Sequence, residues 1–152
     1  PDAGCGKGRI AVALMARVPG LEVTGVDLSE EMLRHVPRGI PTHCSSLLNL
    51  PFPDGVFDGA YCVEALEHVG NPQGAVGELC RVVRPGSRVV IVDKDARKLG
   101  ALRLSPGEQW FERHDVRRWL SEHCIEVQVL DISRVDGHQA DSLFVAWTGR
   151  RK

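Results

Sequence analysis

Asp2-Ala3-Gly4-Cys5-Gly6-Lys7-Gly8 stands at the head of the chain and runs directly into the helix-forming stretch Arg9-Ile10-Ala11-Val12-Ala13-Leu14-Met15. Alternate glycines allow a tight turn and let a ligand approach the backbone where a Cβ would collide. The helix that follows offers unpaired N–H groups and the positive end of its dipole. A dinucleotide fingerprint is spaced G-x-G-x-x-G, and its third glycine would fall on Arg9. The spacing here is D-x-G-x-G-x-G instead. About 20 residues further on, Gly25-Val26-Asp27-Leu28 ends an apolar run in a carboxylate, where Asp27 could accept both ribose hydroxyls of a nucleoside.

The rest of the chain alternates short apolar runs with amphipathic segments, the pattern of a parallel sheet wound with helices. Residues 8–17 form a helix stopped by Pro19-Gly20, and 21–26 read as a strand. Ser29 is placed to cap a second helix with Glu30 and Glu31 in its first turn. Residues 56–63 read as a buried strand. Asn71-Pro72 opens a helix in which Val76, Leu79, Cys80 and Val83 recur on one face. Arg84-Pro85-Gly86 is expected to end it, and 88–93 to follow as a doubly covered strand. Residues 94–108 read as a polar loop beside the site, and 115–122 as a helix. Two strands, 127–132 and 143–147, close the fold across the turn-rich Asp136-Gly137-His138, the last of them antiparallel between its neighbours. The expected class is therefore α/β, a doubly wound and mostly parallel sheet, in a single domain over 1–152.

With 152 residues, 43% hydrophobic and 26% charged, the chain suits one globular domain. A formal net charge of -1 exerts no pull toward nucleic acid. The Arg150-Arg151-Lys152 run reads as a solvated end. Five scattered cysteines without a Cys-x-x-Cys pair argue against a disulfide framework or a structural zinc site and suggest a reducing cytoplasm. No apolar run reaches membrane-spanning length.

Four blocks, in order, resemble the class I S-adenosylmethionine (SAM) dependent methyltransferases with small-molecule and diverse acceptors. They cover residues 2–10, 25–33 (G-V-D-L-S-E-E-M-L), 50–69 (L-P-F-P-D-G-V-F-D-G-A-Y-C-V-E-A-L-E-H-V) and 81–86 (R-V-V-R-P-G). The resemblance implies SAM as cofactor, S-adenosylhomocysteine as product and a small-molecule methyl acceptor, with no metal. It places Asp2, Gly4 and Gly6 around the methionine portion, Asp27 on the ribose, and Leu28 and Met32 on the adenine. The family's usual aspartate before Leu-Pro-Phe is replaced by Ser46, beside Leu47, which offers a hydrogen bond without charge. Asp58 is architectural. Glu64 ends the strand that leads to the reaction centre, and Glu67 and His68 follow it toward the acceptor, His68 as a candidate general base or as a solvent-facing residue of a helix start. The sheet's central first strand is expected to be cut short, because the chain opens at Pro1. Two other readings stay open on the residues alone: a non-catalytic SAM-binding module, and a nicotinamide-dependent oxidoreductase with a divergent loop, against which Arg9 argues.

Overall fold

A computed structural model describes residues 1–100, 104–132 and 143–152. Seven strands form one sheet: β1 (Asp2–Ala3), β2 (Gly25–Asp27), β3 (Thr42–Cys44), β4 (Phe57–Val63), β5 (Val83–Lys94), β6 (Cys124–Asp131) and β7 (Phe144–Arg151). Their order across the sheet is β3-β2-β1-β4-β5-β7-β6. Six strands run in one direction, and β7 lies antiparallel between β5 and β6. The order reverses between β1 and β4, which makes the carboxyl ends of those two strands the switch point of an open α/β sheet, where ligands bind. β1 is two residues long and is paired on both sides, Asp2 with Gly25 and with Tyr61.

Helices form where their caps and apolar faces agree. α1 (Arg9–Met15) starts after Gly8, whose φ of 77° is left-handed. It ends before residue 17 because the chain tightens, the N–H of Arg17 bonding to Leu14 O. In α2 (Glu30–Leu33) the Ser29 hydroxyl accepts the Met32 N–H at 3.3 Å. Asn71 caps α3 (Pro72–Val82) through Gly74 N–H at 3.1 Å, with Pro72 in the first turn. The expected stripe of α3 is buried: Val76, Leu79 and Cys80 meet Val89 and Ile91 of the sheet in one core with Val116 and Leu120 of α4 (Arg113–His123). Trp147 on β7 is fully buried there, and its indole N–H donates to Arg113 O at 2.9 Å.

Several expectations are corrected. β3 has no counterpart among the expected strands, and strand pairing in the 21–26 region is confined to Gly25–Asp27. Arg84-Pro85-Gly86 does not separate α3 from a strand: α3 stops at Val82, and β5 begins at Val83. Phe57 pairs with Val83 and Gly59 with Arg88, so residues 84–87 bulge out between two paired stretches. Gly86 takes φ 84° in this bulge. The C-terminal basic run is no loose end. Arg150 lies in β7 and pairs with Glu126, and the Lys152 ammonium donates to Ser121 O and Glu122 O, the carbonyls ending α4. The expected turn at Asp136-Gly137-His138 lies outside the described residues.

Candidate functional site

The glycine loop shows why each glycine is there. Gly4, Gly6 and Gly8 take φ of 79°, 52° and 77°, a region costly for residues with a Cβ. The N–H groups of Gly4 and Cys5 both donate to Val26 O, at 2.7 and 2.9 Å, which moors the loop to the end of β2. A Cβ on Gly4 would lie 2.2 Å from the Ala65 Cβ, so the loop sits directly on the chain leaving β4. The loop thus closes against both strands of the switch point.

Asp27 ties this loop to α2. Its Oδ2 accepts the Gly6 N–H at 2.8 Å and its Oδ1 the Ser29 N–H at 2.9 Å. Each carboxylate oxygen keeps a lone pair for a further donor. Beside it opens a cavity of about 440 Å³, walled by Gly4, Gly6, Asp27, Leu28, Met32, Ser46, Leu47, Glu64 and His68, among others. Leu28 is 72% exposed, and Met32 and Leu48 are exposed with it. Such apolar side chains bordering a polar carboxylate suit a flat ring carrying a hydroxylated sugar. The Ser46 hydroxyl accepts the Leu48 N–H at 3.1 Å and keeps its own proton to donate. A larger cavity, about 740 Å³, opens at the opposite end of the strands, against Pro1, Thr24, Phe57 and Asp58. It lies away from the glycine loop and the carboxyl ends, so the smaller cavity is the candidate site. Asp58 is exposed there and pairs with Arg84.

Two of the expected site residues are placed behind the cavity instead. Asp2 is buried under the loop, and burial pushes its carboxyl up to about 6. Tyr61 lies opposite it in the β1–β4 register, and neither Asp2 Oδ2 nor the Tyr61 hydroxyl has a hydrogen-bond partner among the described residues. Glu67, in a 3₁₀ turn over Leu66–His68, was expected toward the acceptor. Its carboxylate is 3% exposed and turned onto the Lys94 ammonium, 2.9 Å from both oxygens. His68 borders the cavity with a half-exposed ring, Nε2 3.4 Å from Glu67 Oε1. Lys94 and Ala65 were not foreseen. A charged residue closing the apolar run of β5 was the available signal for Lys94, since strand ends at this edge face the site.

Glu64 carries strain. Its φ is 52°, although it is not glycine, and its N–H is anchored on Val92 O at 2.9 Å. A left-handed residue with a Cβ costs about 1–2 kcal/mol, partly offset in glycine by the greater freedom of its unfolded chain. Glu64→Gly is expected to raise stability by about 1 kcal/mol in urea denaturation. A loss of stability would show that the Glu64 side chain makes contacts outweighing its backbone strain.

Comparison with known proteins shows the family and the fold. The family model described as "Methyltransferase domain" matches residues 1–91, and the chain belongs to that family. It is 36% identical over 101 residues to an O-methyltransferase of Aspergillus sclerotiorum, covering 60% of this chain and 38% of that protein. It is 34% identical over 110 residues to the demethylmenaquinone methyltransferase of Thermus thermophilus, covering 68% and 50%. The chain thus spans half or less of the length of these two relatives. Among solved structures, a SAM-dependent methyltransferase of Thermotoga maritima, described as a possible histamine N-methyltransferase, superimposes with a TM-score of 0.79 at 23% identity, covering 99% of this chain and 80% of that one. At that identity the likeness concerns the fold.

Proposed function

We propose that the cavity binds SAM and that the protein transfers its methyl group to an N, O or C nucleophile of a small-molecule acceptor, leaving S-adenosylhomocysteine. The observation that carries this reading is the meeting, at the sheet's switch point, of a glycine loop with no room for a Cβ at Gly4, a carboxylate moored across it, and exposed apolar side chains. Bound SAM supplies a methyl group already activated on a sulfonium, so the protein's task is chiefly alignment. Asp27 accepts the ribose hydroxyls. Leu28 and Met32 flank the adenine, whose edge meets Ser46 and Leu47. Gly4 and Gly6 admit the methionine portion, with the buried Asp2 beneath them, its Oδ2 without a partner among the described residues. Glu64 closes the cavity's far wall. His68 takes the proton of a hydroxyl or ammonium acceptor, with the Glu67 carboxylate behind its ring. Among the described residues no cluster of metal-ligating side chains occurs and no helix is long and apolar enough to cross a membrane. Five free thiols fit a reducing cytoplasm.

The test is calorimetry with SAM and with NADH. A hydrogen bond to a charged group is worth about 1.5–3 kcal/mol, so Asp27→Ala is expected to weaken SAM binding at least tenfold. Asp27→Asn, which keeps one oxygen for a backbone donor, separates loss of the ribose contact from collapse of the loop. Unchanged SAM affinity in both variants would remove Asp27 from the ribose, and tight NADH binding without SAM binding would overturn the function.

A further inference from the structure

On the acceptor side three stretches of chain meet at one ammonium group. Lys94 Nζ, at the end of β5, binds both oxygens of Glu67 and lies 2.6 Å from Glu108 Oε1 in the segment leading to α4. The side chains of Lys94, Glu67 and Glu108 are 14%, 3% and 5% exposed, so water and salt screen these charges little. Burial works against the Lys94 ammonium, and Glu108 and Glu67 together outweigh it, so its pKa is raised. Lys94, with the N–H groups of Ser105 and of the Trp110 indole, holds Glu108 down to about 2. The same segment is fastened through its backbone: Gln109 N–H donates to Glu67 O at 3.0 Å, and the Gln109 amide to Val69 O at 2.6 Å.

The charges do not cancel. Two carboxylates share one ammonium. Asp93, fully buried beside them, accepts the N–H groups of Glu67 and Lys94, and burial pushes its carboxyl well above the usual carboxylate range. Glu67 Oε1 also lies 3.4 Å from His68 Nε2, at the cavity's edge.

We propose that Lys94 is a positioning residue that performs two tasks at once: it holds the Glu67 carboxylate against His68, and it fastens residues 104–111 to the turn beside the cavity. Lys94 does not itself border the cavity. Fastening this segment and orienting the His68 ring thus become one structural event. The assignment rests on reading the cavity as a methyl-transfer site with His68 toward the acceptor.

Its test needs no acceptor. In isotopically labelled full-length protein, the His68 ring resonances are followed by NMR and the Gln109 amide by hydrogen exchange. Lys94→Met frees the Glu67 carboxylate from its cation, so the His68 ring resonances should shift, and Gln109 should exchange at least tenfold faster, with SAM affinity by calorimetry within about threefold of wild type. Glu67→Gln should shift the His68 ring resonances as well. Wild-type values of both the His68 ring resonances and the Gln109 exchange in Lys94→Met would overturn the proposal. Should Lys94→Met fail to fold, Glu108→Gln carries the test, because it removes a buried charge instead of exposing one. It should speed Gln109 exchange at least fivefold, and an unchanged rate would overturn the fastening. If wild-type protein fails to bind SAM, the proposed function falls while these readouts keep their meaning.

Discussion

Gly4→Ala is expected to destabilise the fold by roughly 2–5 kcal/mol and to abolish measurable SAM binding. Two costs add. The new Cβ would stand 2.2 Å from the Ala65 Cβ, a separation no pair of non-bonded carbon atoms sustains, and forcing a methyl into packed structure typically costs about 1–3 kcal/mol. The φ of 79° adds about 1–2 kcal/mol for a residue with a side chain. The loop can escape only by lifting from the chain after β4, which would break the N–H bonds of Gly4 and Cys5 to Val26 O and carry Gly6 off Asp27. Gly6 supplies the control. It too has positive φ, but a Cβ there meets no atom within 4 Å, so Gly6→Ala should lose only the backbone share, about 1–2 kcal/mol. Ala65→Gly in the Gly4→Ala background removes the collision and should recover the steric share, a coupling that a double-mutant cycle measures directly. Denaturation midpoints and SAM calorimetry on the five proteins, Ala65→Gly alone included, decide it. Equal stability of Gly4→Ala and Gly6→Ala would mean that the loop does not rest on Ala65.

The same contrast marks what could be read without coordinates. The glycine spacing and Asp27 stand out in the sequence because each is demanded locally, by φ or by the end of a strand. Ser29 and Asn71 announce their helices for the same reason. Ala65 is silent in the sequence, since nothing in Val63-Glu64-Ala65-Leu66 says that another loop will lie on its methyl group. Glu67 was read as facing the acceptor because it follows β4. The direction of its carboxylate is set by Lys94, 27 residues later, through a contact no local pattern records. β3 went unread for a different reason: Thr42–Cys44 is short and largely exposed at the sheet edge, with none of the apolar alternation that marks a half-buried strand. Arg84-Pro85-Gly86 reads as the end of α3, but the helix stops at Val82 and the three residues lie within β5. What the residues could not show is that β5 resumes pairing on both sides of the bulge, a matter of register with β4.

Arg81→Met is expected to cost about 3 kcal/mol and to lower SAM affinity several-fold, through a contact that joins two of the sequence blocks. Leu50-Pro51-Phe52-Pro53-Asp54-Gly55 contains two prolines, which lack N–H groups and hold the residues before them extended. The Leu50 carbonyl takes the Phe52 N–H at 2.8 Å, and both it and the Phe52 carbonyl keep room for a further donor. Arg81, on α3, supplies one for each, at 3.0 and 2.7 Å, and binds Asp54 at 2.8 Å and Glu78 at 2.6 and 2.9 Å with the same guanidinium. Glu78 in turn accepts the Leu50 N–H at 2.8 Å, and hydrogen bonding to Arg81 holds its carboxyl below the usual range. The planar fork serves four acceptors in different directions, which an ammonium cannot do. Methionine keeps the apolar stem and removes the fork, leaving the Phe52 carbonyl without its Arg81 donor and the Leu50 carbonyl with the Phe52 N–H alone, at about 1–3 kcal/mol for a group left unpaired. Arg81→Lys should recover less than half of the loss. Ser46 and Leu47 reach the cavity from the chain just before Leu50, so a loosened anchor there should reach the adenine side of the site as well as the fold. Urea denaturation and SAM calorimetry measure the two effects separately. A loss of under about 1 kcal/mol in Arg81→Met, or full recovery in Arg81→Lys, would show that solvent satisfies these carbonyls and that charge alone, without the fork, holds the loop.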